Sequence, residues 1–97
     1  MFILVEDFSF RMLVWGTVQG IGFREFVLQK ALALDLSGYV RNLPCQNAVE
    51  VVAGGFYENL RKFSEFLHQG PPAATVVKVK QVWSTSSLDI KGFIRLD

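Results

Sequence analysis

The segment VWGTVQGIGFREF, residues 14–26, joins a strand-like run to the start of a helical pattern. The preceding run SFRMLVWGTV (9–18) mixes β-branched, aromatic and aliphatic residues, which is typical of a β-strand. From Phe23 to about Leu34, apolar residues recur at the spacing of one helix face. The glycines at the junction are Gly16, Gly20 and Gly22. Such a cluster indicates a tight turn that another group can approach closely, so the segment predicts strand, glycine loop and helix in succession.

The residues after this helix predict a β-hairpin. Gly38 stands where a glycine commonly ends a helix. The runs Tyr39–Leu43 and AVEVVA (48–53) are strand-like, and the Pro44–Asn47 segment between them is rich in turn residues. Two strand-like runs separated by a short turn are typical of antiparallel partners.

A second helix and two more strands complete the pattern. The apolar residues of the helix, at offsets of 4, 7 and 11, are Phe56, Leu60, Phe63 and Leu67. The helix should end at GPP (70–72), because prolines cannot continue it. VVKVKQVW (76–83) alternates as a half-buried strand should, and GFIRL (92–96) reads as a short final strand. The order β-α-β-β-α-β plus a terminal strand predicts an α+β, ferredoxin-like α/β sandwich: an antiparallel sheet with two helices on one face.

Composition limits the function classes. A chain of 97 residues with 51% hydrophobic and 20% charged residues fits one globular domain, 1–97, which we expect to be monomeric. No apolar run approaches the roughly 20 residues that span a bilayer. The start MFILVED lacks a basic region and is interrupted by Glu6 and Asp7, so we expect no signal peptide. A single cysteine, Cys45, fits a reducing cytoplasm, and a net charge of +1 disfavours binding to a polyanion.

The glycine loop before the first helix predicts an anion site. Backbone N–H groups at a helix N-terminus are unpaired, and the helix dipole adds about half a positive charge there. Arg24 lies in the first turn, where its planar guanidinium can bind two phosphate oxygens at once. Neither nucleotide-binding glycine motif is present, because no Lys-Ser or Lys-Thr follows and Glu25 stands where the last glycine of GxGxxG would be.

Three separated segments carry a more specific signal. GTVQGIGFR (16–24), SGYVRNL (37–43) and VEVVAGG (49–55) together resemble the acylphosphatase family, and the resemblance runs from about Arg11 to Leu96. The chain departs from the family pattern in its hairpin turn, PCQNA, which lacks an acidic residue and a glycine, and at Thr75, where an arginine is usual.

The resemblance implies hydrolysis of acyl phosphates to a carboxylate and inorganic phosphate, with no metal, cofactor or covalent intermediate. It implies that Arg24 is the catalytic, phosphate-binding arginine and that Asn42 orients the attacking water. The implied phosphate-binding residues are Gln19, Gly20, Ile21, Gly22, Phe23 and Arg24. Inorganic phosphate, the product, is then expected to inhibit.

Two other functions remain as alternatives. The first is a carbamoyl-phosphate-handling domain of the kind that begins hydrogenase-maturation carbamoyltransferases, against which we count the short chain ending at Asp97. The second is a non-catalytic module that binds anions or nucleic acid. Most of the helical phenylalanines follow core spacing, so we expect no nucleic-acid platform. We expect no metal site, because no second histidine or cysteine lies at ligand spacing. We also expect no catalytic role for the sole histidine, His68, which lies near the end of the second helix, where a cation suits the helix dipole.

Overall fold

The structure is a computed structural model that describes residues 8–96. The predictions made on Met1–Asp7, including the absence of a signal peptide, lie outside the described residues. The strands are β1 (Phe8–Thr17), β2 (Ser37–Leu43), β3 (Ala48–Gly55), β4 (Thr75–Ser84) and β5 (Phe93–Arg95). The helices are α1 (Phe23–Ala33) and α2 (Tyr57–Gln69), and Pro44–Gln46 forms a 3-10 turn. The predicted order of elements is confirmed.

The strands form one sheet in the order β4-β1-β3-β2-β5. The pairs among β1 to β4 are antiparallel, as predicted, but β5 runs parallel to β2, so the sheet is mixed rather than wholly antiparallel. The direction of β4 explains the difference. β4 ends at the same end of the sheet at which β1 and β2 begin. The chain crosses from the outer strand β4 to the other side of the sheet, beside β2, and enters β5 in the direction of β2.

Apolar residues from the sheet and both helices form a single core on the helical side. Phe10, Phe23 and Phe63 are among the largest fully buried side chains, which confirms the core role of the two helical ones. Phe66, in contrast, is 36% exposed, and the ammonium of Lys30 lies over its ring. Within residues 8–96, neither helix is long and apolar enough to cross a membrane.

The end of α1 differs from the prediction that assigned it to Gly38. Asp35 takes the left-handed conformation there, with φ 55°, and the amide of Leu36 donates to the carbonyl of Ala31 in a Schellman-type end. Gly38 instead lies in β2 with φ 135°. A Cβ at this position would lie 1.9 Å from the carbonyl oxygen of Val52, so glycine is required there for close strand approach.

The predicted turns are confirmed at two positions, and one strand is less regular than expected. Asn47 has φ 54° in the hairpin turn, and Gly70 ends α2 with φ 71°. In β4, the pairing shifts opposite Trp15 and Gly16, so Val77 sits in a bulge and is 75% exposed. The strict alternation predicted through Val77 and Lys78 is therefore wrong at that point.

Candidate active site

A cleft of about 220 Å³ opens at the end of the sheet where β1 passes into α1. Asn42 near the C-terminal end of β2 and Arg95 at the C-terminal end of β5 complete its walls. The predicted residues that line it are Gly20, Gly22, Phe23, Arg24 and Asn42. The structure thus brings the glycine loop and the hairpin asparagine, which are about 20 residues apart in sequence, to one place.

The two loop glycines are needed for their backbone conformation. Gly20 has φ 73° and Gly22 has φ 80°, the left-handed region that other residues adopt at a cost. A Cβ at either position would meet nothing within 4 Å, so close packing is not the reason for glycine. Gly22 is also the N-cap of α1, and within residues 8–96 no side chain caps this helix. The N-terminal turn therefore retains backbone donors suited to an anion.

Arg24 occupies the first turn of α1 and is half-buried. Its Nη1 donates a hydrogen bond of 2.9 Å to the carbonyl oxygen of Leu96. The residue after β5 therefore holds the guanidinium against the cleft, and a side chain near the start of the sequence depends on a backbone group near its end for its orientation.

Asn42 lies near the end of β2 and opposite Val49 of β3. Alternation along the strands places it on the helical side of the sheet, with the buried Val40. Its Oδ1 is buried and has no hydrogen-bond partner in the part of the chain that the structure describes. Buried polar atoms are nearly always paired in folded proteins, so an orphaned acceptor in a cleft indicates a site for an external donor.

The other two predicted residues lie beside the cleft. Gln19 donates from Nε2 to the carbonyl oxygen of Ala48 at 2.9 Å, which ties the loop to the first residue of β3. The side chain of Ile21 is half-buried and packs against the hydrophobic core. Both side chains therefore support the shape of the loop, and their phosphate-binding role stays a prediction that rests on the backbone.

Sequence reasoning missed the contribution of β5. Arg95 lines the cleft together with Glu25, the residue after Arg24. The Nη1 of Arg95 lies 3.4 Å from the Oε2 of Glu25. Nothing in the sequence indicates this pair, because it depends on the parallel pairing of β5 with β2 and joins residues 70 positions apart.

The opposite face of the sheet carries a different polar cluster. The Glu50 side chain is only 3% exposed, and its two oxygens accept hydrogen bonds from Arg11 at 2.7 Å and Arg41 at 2.6 Å. Burial by itself would raise the pKa of Glu50, but the bonds from Arg41 and Arg11 outweigh it and the pKa is lowered. The pKa of the neighbouring Tyr39 is raised by burial and by the charge of Glu50.

The remaining candidate residues lie outside the cleft lining. The Nδ1 of His68 is 2.8 Å from the carbonyl oxygen of Ser64, one turn earlier in α2. Cys45 is exposed in the hairpin turn. Residues 8–96 contain no group of three or more His, Cys, Asp or Glu side chains arranged to hold a metal ion. Independence from metal stays a prediction that needs an activity measurement.

Comparisons with known proteins agree on one family. A family model described as Acylphosphatase matches residues 10–94. An acylphosphatase from Thermus thermophilus is 49% identical over 81 residues, which are 84% of this chain and 90% of the relative. The crystal structure of acylphosphatase from Bacillus subtilis superposes with a TM-score of 0.87 at 32% identity, covering 93% of this chain and 99% of that one. HypF from T. kodakarensis superposes with a TM-score of 0.78 at 31% identity, but the match covers only 12% of that chain.

Proposed function

The chain belongs to the acylphosphatase family and is an acyl phosphate hydrolase, and we propose that the cleft at the N-terminus of α1 is its active site. The observation that carries this assignment is the buried, unpaired Oδ1 of Asn42 in the cleft that Arg24 also lines. A polar acceptor and a guanidinium beside an uncapped helix N-terminus suit a substrate that is an anion attacked by water.

The phosphate group binds to the loop and to Arg24. The loop from Gln19 to Arg24 contributes backbone N–H groups, which the left-handed glycines and the absence of a side-chain cap within residues 8–96 leave available. Arg24 adds a charge-assisted, bidentate contact, and its bond to Leu96 restricts the orientation of the guanidinium before substrate binds. An acyl phosphate has a good leaving group, so positioning and charge stabilisation supply most of the catalysis.

Asn42 holds the attacking water. Its Oδ1 accepts a hydrogen bond from the water and orients an oxygen lone pair toward phosphorus, opposite the acyl oxygen. The water oxygen forms a bond to phosphorus while the bond between phosphorus and the acyl oxygen breaks. The electron pair of that bond leaves with the carboxylate, and a phosphate oxygen accepts the proton from the water. No side chain needs to act as a base in this scheme.

Inorganic phosphate, which resembles the transferred group, occupies the same loop and inhibits competitively. The single exposed cysteine supports a reducing, cytoplasmic location and a monomer without disulfide cross-links. The net charge of +1 and the burial of Phe23 and Phe63 in the core support a protein that binds neither nucleic acid nor membranes.

Release of inorganic phosphate from acetyl phosphate and benzoyl phosphate tests the proposal. We expect turnover of both substrates by the purified chain and strong loss of turnover in Arg24→Ala and Asn42→Ala. The matched controls are Arg61→Ala and Asn59→Ala on α2, whose side chains bond to Glu65 and to the carbonyl of Leu34. Binding of phosphate without turnover would instead identify a non-catalytic anion module.

Carbamoyl phosphate stays a second candidate substrate, since the sequence also allows a carbamoyl-phosphate-handling domain. The same assay with carbamoyl phosphate separates the candidates. We expect a lower kcat/KM for carbamoyl phosphate than for benzoyl phosphate, since two relatives named acylphosphatase match over nearly their whole length. The reverse order would favour the carbamoyl-phosphate function.

A further inference from the structure

Two charged side chains at the mouth of the cleft have no role in the hydrolysis described above. Arg95 and Glu25 both line the cleft, and their side chains are 40% and 50% exposed. The inner part is formed by residues that are more enclosed, including Phe23 at 1% exposure and the buried Oδ1 of Asn42. The ion pair therefore lies at the outer rim.

The position of the pair relative to the substrate follows from the mechanism. The phosphate lies at the inner end, between the α1 N-terminus, Arg24 and Asn42, and the water attacks it in line with the acyl oxygen. The acyl group then extends away from the phosphate toward solvent. Arg95 and Glu25 are the exposed charged side chains of the cleft lining, so an acyl group that leaves the cleft on their side passes the guanidinium of Arg95.

The contact between Arg95 and Glu25 is easy to exchange. It is a single contact of 3.4 Å between half-exposed groups, a geometry that contributes little to stability. The other oxygen of Glu25 accepts a bond of 2.9 Å from Gln29 on the same helix. A ligand carboxylate can approach the guanidinium with two parallel hydrogen bonds, which are shorter and stronger than the contact they replace.

We propose that Arg95 is a specificity-determining residue that binds a second carboxylate on the acyl group, so that the preferred substrates are monoacyl phosphates of dicarboxylic acids. The proposal rests on the function proposed above and names the substrate class of the same site. Glu25 is the internal carboxylate that such a substrate displaces. It also repels anionic acyl groups, so its removal strengthens their binding.

The test compares benzoyl phosphate with its meta- and para-carboxylated analogues, which are rigid and differ in the reach of the added charge. In the wild-type protein we expect a lower KM for at least one carboxylated substrate. Arg95→Gln should reduce the ratio of kcat/KM between that substrate and benzoyl phosphate by about fivefold, the scale of one partly exposed ion pair. Glu25→Gln should shift the same ratio in the opposite direction, and the change should appear in KM rather than kcat.

The control is Arg61→Gln, which removes an arginine of similar exposure that pairs with Glu58 and Glu65 on α2. It should leave the ratio unchanged. A ratio that is the same in the wild type, Arg95→Gln and Glu25→Gln overturns the assignment of Arg95, while hydrolysis of benzoyl phosphate continues to support the function. Failure of the wild type to hydrolyse any of the three substrates overturns both.

Discussion

The two faces of the sheet differ in the hydrogen-bond pairing of a buried polar side chain. On the open face, the buried carboxylate of Glu50 accepts bonds from two arginines and has a lowered pKa. On the helical face, the carbonyl oxygen of the Asn42 side chain is also buried but has no partner within residues 8–96. The two positions are one register step apart, because Asn42 pairs with Val49 and Arg41 pairs with Glu50.

The difference indicates that Glu50 stabilises the fold, and it supports the proposal that Asn42 serves the reaction. A paired buried charge contributes through its hydrogen bonds, whereas an unpaired buried acceptor costs stability unless a ligand or water completes it. Glu50, the paired group, stabilises the sheet. Asn42 is the proposed site for the attacking water. Mutation of Glu50 should therefore change stability, and mutation of Asn42 should change activity.

The largest effect is expected at Arg24. Arg24→Lys should be nearly as damaging as Arg24→Ala, because lysine keeps the charge but loses the planar fork that binds two phosphate oxygens. We expect kcat/KM to fall by roughly a hundredfold or more, equivalent to about 3 kcal/mol of transition-state stabilisation. Steady-state kinetics with benzoyl phosphate measure it, with Arg61→Lys as the control. Near wild-type turnover in Arg24→Lys would show that the fork is not used.

Asn42 should separate water positioning from phosphate binding. Asn42→Ala should lower kcat by about a hundredfold and leave KM and phosphate inhibition nearly unchanged, since misplacing the water forfeits the gain from orientation. Asn42→Asp keeps an acceptor oxygen but loses the amide N–H donor and places a negative charge beside the anionic substrate, so it should weaken phosphate binding more than alanine does and not restore kcat. Activity retained or raised in Asn42→Asp would indicate a general base at this position and contradict the mechanism.

Glu50 should affect stability but leave the chemistry intact. Glu50→Gln leaves Arg11 and Arg41 without their shared carboxylate, and we expect the free energy of unfolding at neutral pH to fall by about 1–2 kcal/mol. Denaturant unfolding measures this. Glu65→Gln, which removes a glutamate that is 68% exposed beside Arg61, is the control and should change stability little.

The effect of Glu50→Gln should also depend on pH. Because the pKa of Glu50 is lower in the folded protein than in the unfolded chain, its ionised form stabilises the fold fully above the ordinary glutamate pKa of about 4.3. This stabilisation is lost as pH falls through the lowered pKa of the folded protein. The difference in stability between wild type and Glu50→Gln should therefore shrink with acidification below about pH 4. A difference that grew on acidification would contradict the assignment.

The smallest expected effect is that of chelation. Activity should be unchanged after exhaustive treatment with a chelator, since the loop, the helix N-terminus and Arg24 supply the positive potential that a cation provides in many phosphoryl-transfer sites. Phosphate should inhibit competitively in the same preparation. Loss of turnover that added magnesium restores would show that the cleft requires a metal.

The success of sequence reasoning depended on how local the determining contacts are. The sequence correctly predicts the glycine loop, the start of α1 at Phe23 and the end of α2 at Gly70. Backbone conformation at these positions depends on a few neighbouring residues. The end of α1 was assigned wrongly to Gly38. Asp35 can adopt the left-handed conformation there, whereas Gly38 is required by contact with β3, which is distant in sequence.

The sequence by itself determined the order of strands and helices, the left-handed loop before α1 and the presence of Arg24 at its start, because periodicity, glycine and helix termini act over a few residues. Only the tertiary structure decided that β5 pairs in parallel with β2, that Leu96 orients Arg24, and that Arg95 faces Glu25. The two side-chain contacts join residues 72 and 70 positions apart. They depend on which edge of the sheet the last strand reaches, and pairing at an edge is set by the packing of the whole sheet rather than by the short strand that completes it.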